Sequence, residues 1–244
     1  MIAKCVLKYK RVVTVQMKQE VEVSYKIYQD HASNRRIFGF WSAFVPCATQ
    51  NKDAVQLTLE QIDVIKRLID KYPQFLQFST SVTGILEAHS ARPRKIASLI
   101  GIEGGHSIAN SLGVLRSYYQ LGVRYMTLTH TCSTPWADSA NDPPVVNGLT
   151  EFGEKVVREM NRLGMVVDLS HVSDNTTRAA IRISKAPVIF SHSSVYSLCN
   201  HIRNVPDDII QSLKENGGLI MVNFFPEFVK CAPNATISDV AGKY

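Results

Sequence analysis

No apolar run in the 244-residue chain approaches the roughly 18 consecutive residues that a membrane-spanning helix needs. Met1 to Arg11 lacks the unbroken apolar centre of a secretory signal, because Lys4, Lys8 and Lys10 interrupt it. The carboxyl end has no hydrophobic tail of the kind that precedes a lipid anchor. The five cysteines are Cys5, Cys47, Cys132, Cys199 and Cys231, and no two form a Cys-x-x-Cys pair, which argues against a structural zinc site. No internal sequence repeat is evident. Nor is there a dense block of like charge. The net charge is +6, and residues 1–40 hold eight Lys or Arg against three Asp or Glu. Those cations are interleaved with Val and Tyr, so the segment reads as a solvated arm, and no nucleic-acid partner is expected. The sequons at Asn175 and Asn234 permit glycosylation only in a secreted chain.

What is present is an ordinary globular core. The hydrophobic share is 45%, and the length suits one large α/β domain or two small ones. Residues 1–36 stand apart as an atypical basic segment: Val6 to Gln16 and Val21 to Tyr28 are Val-rich and partly alternating, giving two strands or an unstructured arm. Residues 37–244 are regular. Phe40 to Val45 reads as a strand closed by Pro46. Leu57 to Tyr72 reads as a helix whose apolar face includes Leu59, Ile62, Ile65, Leu68 and Ile69. Phe75 to Ser90 reads as a short helix plus a turn. Helices follow at Leu112 to Leu121, Glu151 to Leu163 and Asn175 to Ser184, with Gly122, Thr150, Gly164 or Ser173 at a suitable end, and Val205-Pro206-Asp207-Asp208 opens another, with Pro206 and two acids suiting its first turn. A last strand is expected over Gly218 to Phe225. Strand and helix alternate throughout, which implies a parallel sheet. About six strands are counted where a closed (β/α)8 barrel needs eight, so the sheet is open or a barrel is incomplete.

Four of the apolar runs end on chemistry. Ile96 to Ile102 stops at Glu103 and two glycines; Val123 to Thr129 stops at His130; Met165 to Ser170 stops at His171; Ala186 to Ser191 stops at His192. In parallel α/β sheets, function collects at the carboxyl ends of strands. Taken singly, Glu103 pairs with an arginine, caps a helix or binds a metal, and each histidine is as well read as an ordinary core or surface residue. Taken together, Glu103, His171 and His192 offer two imidazoles and a carboxylate, the set that leaves a zinc one open position for water. Such a water suits hydrolysis of an amide. His130 is a further ligand or a donor to the oxyanion of a tetrahedral intermediate. Asp168 is a partner that orients an imidazole, and His106 stands close enough to Glu103 to support it. His31, His89 and His201 have no such placement and read as surface residues. Thr131 to Gly148 is a long loop, and loops of this length are commonly functional.

Six runs carry a family resemblance: Ile102-Glu103-Gly104-Gly105-His106-Ser107, Thr127-Leu128-Thr129-His130-Thr131-Cys132, Pro135-Trp136-Ala137-Asp138, Asp168-Leu169-Ser170-His171-Val172-Ser173, Phe190-Ser191-His192-Ser193 and Arg203-Asn204-Val205-Pro206-Asp207-Asp208. Over roughly residues 38–244 the chain resembles the membrane (renal-type) dipeptidases. The resemblance implies a (β/α)8 TIM-barrel zinc hydrolase of dipeptides, including cysteinyl-glycine and leukotriene D4-like substrates. It implies that Glu103 bridges two zinc ions, that His171 and His192 hold one of them, and that His130 contacts the scissile group. Arg203 is implied to bind the substrate carboxylate. Implied too are disulfides Cys47–Cys132 and Cys199–Cys231, leaving Cys5 over, glycosylation at Asn175 and Asn234, a homodimer, and a GPI-anchored extracellular location. The chain departs from the pattern as well. It has no His-x-Asp sequence, which in the family completes the other zinc, and the family's Gly-Gly-Asp strand would fall beyond Tyr244. One zinc shell is therefore expected to be complete. The competing expectation is a catalytically silent, truncated member that retains partial metal or partner binding.

Overall fold

The computed structural model describes residues 38–242 and the backbone of residues 12–16. The strand expected over Val21 to Tyr28, Cys5 and His31 lie outside the described residues. The chain is an α/β fold of the incomplete (β/α)8 type, with parallel strands alternating with helices. It comprises two compact units. No helix among the described residues is long and apolar enough to cross a membrane.

The first unit holds residues 1–126 and 163–165. Its strands are β1 (Val12–Gln16), β2 (Phe38–Phe44), β3 (Leu76–Phe78) and β4 (Ile96–Glu103), with β5 (Val123–Thr127) crossing its boundary. β1 pairs with β2, β2 with β4, and β3 with β4, all in parallel. Every residue of β4 is buried, as expected of a strand covered on both faces. Gly101 within it is obligatory: a Cβ there would lie 2.1 Å from the Tyr125 ring. Helix α1 (Ala54–Lys71) buries Ile62, Ile65, Leu68 and Ile69. Leu59, expected on that face, is 41% exposed, and Thr58 takes the inward position by donating its hydroxyl to the Ala54 carbonyl at 2.7 Å. The segment expected to open as a helix at Phe75 instead forms β3, and α2 (Val82–Ser90) begins only at the Ser81 cap. Helix α3 (Leu112–Gln120) follows as expected.

The second unit holds residues 127–162 and 166–244. Its strands β6 (Val166–Asp168), β7 (Ile189–Ser193) and β8 (Leu219–Val222) pair in that order, in parallel. Helices α4 (Glu151–Leu163), α5 (Asp174–Ile183) and α6 (Asp207–Asn216) alternate with them. The Thr150 hydroxyl accepts from Gly153 N–H at 3.3 Å and the Ser173 hydroxyl from Thr176 N–H at 3.2 Å, as their positions predicted. The last strand stops at Val222 rather than Phe225. Pro226 then opens α7 (Pro226–Lys230), and α8 (Ile237–Ala241) starts with a reciprocal Thr236/Asp239 capping box.

Candidate functional site

In the first unit, Glu103 is the last residue of β4 and is 3% exposed. The Ser42 hydroxyl of β2 donates to its Oε2 at 3.1 Å. Gly104 follows with φ +117°, a conformation L side chains avoid, so the chain turns sharply at the carboxylate. His106 lies in the next turn. Its Nε2 faces the Val45 carbonyl at 3.0 Å, so Nε2 carries the proton and donates. Burial lowers the His106 pKa against the smaller, opposing effect of that hydrogen bond. Tyr118 donates to the Ser107 carbonyl at 2.8 Å and fixes the same turn.

In the second unit three imidazoles converge. His171 Nε2 and His192 Nε2 stand 2.9 Å apart, and the His130 ring stacks on His171 with centroids 4.2 Å apart and planes 29° from parallel. His130 and His171 follow the ends of β5 and β6, whereas His192 lies inside β7 rather than beyond it. His171 has φ +69°, unusual for a residue with a Cβ. Its carbonyl accepts from Ala140 N–H at 2.8 Å and from the Thr129 hydroxyl at 3.3 Å, while the Ser139 hydroxyl gives its proton to the His130 carbonyl at 2.7 Å; together these bonds hold the turn in this shape.

Behind the histidines sits Asp168, fully buried at the end of β6. Its Oδ1 accepts from the N–H groups of Ser170 (3.1 Å) and Ser191 (2.8 Å), and its Oδ2 from the hydroxyls of Ser191 (2.6 Å) and Thr127 (2.5 Å). Asp168 was expected to orient an imidazole, and it does so through Ser191. That hydroxyl has one proton, which goes to the carboxylate; the His192 Nδ1 contact at 2.8 Å is therefore an N–H donated to Ser191 Oγ. The His192 tautomer follows: Nδ1 protonated, Nε2 presenting a lone pair toward His171 Nε2. A His171 ring protonated on Nε2 satisfies that lone pair as a neutral N–H donor, and a metal ion bound by both Nε2 atoms would take the place of that proton. Zinc–nitrogen bonds of ~2.0–2.1 Å in a tetrahedron place two nitrogens about 3.3 Å apart, so this pair fits a metal ion with a small opening movement. Sequence reasoning passed over Ser191, although its position before His192 in the Phe190-Ser191-His192-Ser193 run is a signal of the kind that marks a ligand's support.

The long loop expected at Thr131 to Gly148 is organised on Asp138. Its Oδ1 accepts from the N–H groups of Val145 (2.8 Å) and Val146 (3.0 Å), and its Oδ2 from Gly148 (2.8 Å). Desolvation raises the Asp138 pKa, but the backbone N–H groups outweigh it and hold the pKa below the usual carboxylate value. Arg203 is 5% exposed, and its N–H donates to His201 Nδ1 at 3.1 Å. His201, read as surface, is thus half-buried and supports this turn. Cys199 and Cys231 form a disulfide, and Cys47 and Cys132 are disulfide-bonded as well. Asn175 and Asn234 are exposed; the Asn175 amide donates to Asn147 Oδ1 at 2.6 Å.

The profile described as membrane dipeptidase (peptidase family M19) matches residues 13–243. The chain belongs to the membrane dipeptidase family. Dipeptidase 3 of Mus musculus is 52% identical over 210 residues, covering 84% of this chain and 41% of the mouse protein. Dipeptidase aclJ of Aspergillus oryzae is 48% identical over 211 residues, covering 83% and 50%. Among solved structures, an amidohydrolase from Pseudomonas aeruginosa superposes with a TM-score of 0.83 at 25% identity, covering 95% of this chain and 67% of that one. A metallopeptidase from Rhodobacter sphaeroides, solved with a phosphinate mimic of the dipeptide L-Ala-D-Ala, shares the fold with a TM-score of 0.78 at 18% identity, covering 88% and 70%. The chain thus spans half or less of the curated dipeptidases it matches. The family match begins within β1, upstream of the residues that first suggested it.

Proposed function

We propose that this chain carries the zinc-binding and substrate-gripping elements of a dipeptidase. Glu103, His171 and His192 are its metal ligands, each from the carboxyl end of a parallel strand or the turn after it. The observation that carries the reading is the His171–His192 pair, with Nε2 atoms 2.9 Å apart and the His192 tautomer set through Ser191 by Asp168. A zinc ion held by these residues would supply a water of near-neutral pKa and a Lewis acid for the scissile carbonyl.

The remaining work falls to the chain. Arg203 grips the substrate carboxylate, for which a guanidinium fork is suited. His130, stacked on His171, donates to the carbonyl oxygen as it gains charge. Asp168 takes the Ser191 proton and so keeps His192 a lone-pair donor toward the metal. Cysteinyl-glycine and leukotriene D4-like dipeptides are the proposed substrates. A GPI-anchored homodimer on the outer face of the plasma membrane, glycosylated at Asn175 and Asn234, is the proposed setting.

A specific observation favours a second reading, metal binding without turnover: the sequence contains no His-x-Asp to complete a second zinc site. Hydrolysis of cysteinyl-glycine by zinc-loaded protein separates the two. Turnover that Glu103→Ala abolishes supports the dipeptidase; a folded, zinc-binding chain with no turnover supports the second reading.

A further inference from the structure

We propose that Phe228 of α7 is a positioning residue for Arg203, setting how the guanidinium meets a substrate carboxylate; this rests on the carboxylate role given to Arg203 above. The guanidinium carbon lies 5.4 Å from the Phe228 ring centroid, inside the ~6 Å range of a cation–π contact. Arg203 is buried, so water screens that attraction little. An aromatic face holds the cation without consuming an N–H donor, and N–H donors are what a carboxylate takes.

The ring is itself held. Phe225 packs against it at 4.8 Å and His201 at 4.6 Å. Asn204, next to Arg203 in sequence and 4% exposed, donates its amide to the Phe228 carbonyl at 2.8 Å and to the Cys199 carbonyl at 2.9 Å. Asn204 Oδ1 accepts from Ser194 N–H at 3.3 Å, immediately after β7. The Cys199–Cys231 disulfide ties the same turn to the residue that ends α7. Arg203 and Phe228 thus belong to one braced element, and the arginine is aimed by a ring that touches no reacting atom.

The test is binding of glycylglycine and glycylglycinamide to the full chain by ligand-observed NMR, which reads weak affinities. The two ligands differ only in the terminal carboxylate. The wild-type chain is expected to prefer glycylglycine, and Arg203→Met to lose the preference. Phe228→Leu is expected to weaken glycylglycine by about three- to tenfold and leave the amide unchanged. Phe228→Trp keeps the ring face and is expected to retain the preference. Phe228→Met removes the ring at similar volume and serves where Leu unfolds the chain. A folded Phe228→Leu or Phe228→Met protein with the wild-type preference, beside an Arg203→Met protein without it, overturns the positioning role and leaves the carboxylate role standing. Equal weakening of both ligands overturns it too, since that marks a general structural role. A wild-type chain with no preference, or an Arg203→Met chain that keeps it, removes the carboxylate role and this inference with it.

Discussion

Ser191→Ala removes one oxygen and tests the logic of the histidine site. In the wild-type chain that hydroxyl gives its proton to Asp168 Oδ2 at 2.6 Å and receives one from His192 Nδ1 at 2.8 Å. Alanine leaves Asp168 Oδ2 with the Thr127 hydroxyl at 2.5 Å, and the Ser191 N–H still reaches Oδ1 at 2.8 Å, so the strand stays in place. His192 loses the acceptor that fixes its tautomer. Loss of such a support costs about 10- to 100-fold in metal affinity, or about 1.4–2.8 kcal/mol at 1.4 kcal/mol per decade. The lost hydrogen bond to a charged group costs about 1.5–3 kcal/mol of stability. Zinc affinity measured by competition with a chromophoric chelator, beside urea denaturation, reads both. Ser191→Thr keeps the hydroxyl and is expected to hold zinc within about threefold of wild type, on the same scale. If Ser191→Ala binds zinc as tightly as Ser191→Thr, the relay from Asp168 to His192 has no role in the metal site.

Other parts of the fold give independent tests. Asp138→Asn is expected to cost about 1–3 kcal/mol, because an amide matches fewer of the three backbone donors that the carboxylate oxygens accept. The Asp138 pKa is lower folded than unfolded, so its contribution is full above the unfolded value near 3.9 and fades as pH falls through the folded one. Asp138→Asn should therefore flatten the acid limb of a stability–pH curve, and an unchanged limb would contradict the assignment. Gly101→Ala drives a methyl to 2.1 Å from the Tyr125 ring and is expected to destabilise by about 1–3 kcal/mol or more, read as a lower Tm. Replacing both Cys199 and Cys231 by Ser opens a loop with a sequence separation of 32 and is expected to cost about 3–4 kcal/mol in denaturant, unless strain offsets the chain entropy.

The sheet was legible because apolar strands and capped helices announce themselves locally. Ser173, Thr150 and Pro206 each start the helix their chemistry suggests. What stayed hidden depends on partners far apart in sequence. β3 is three residues long and includes Gln77, so only its pairing with β4 makes it a strand. The five-residue α7 is too short for a periodic pattern to register. Glu103, His130 and His171 stood out because each follows an apolar run. Ser191 did not, because its role needs the β6–β7 pairing that sets it against Asp168. The left-handed backbone of His171 carries no sequence mark in a non-glycine residue; donors from Thr129 and Ala140 to its carbonyl make it tolerable. His201 looked like any surface histidine, since the Phe228 ring that packs on it comes from a distant part of the chain.

X-ray absorption at the zinc edge of the metal-loaded chain reads the ligands directly. Multiple scattering from two imidazoles, with the remaining ligands oxygen, is the spectrum expected of His171, His192 and Glu103, and His192→Ala should remove one imidazole from it. A wild-type spectrum with no imidazole, or one that His192→Ala leaves unchanged, would place the metal elsewhere.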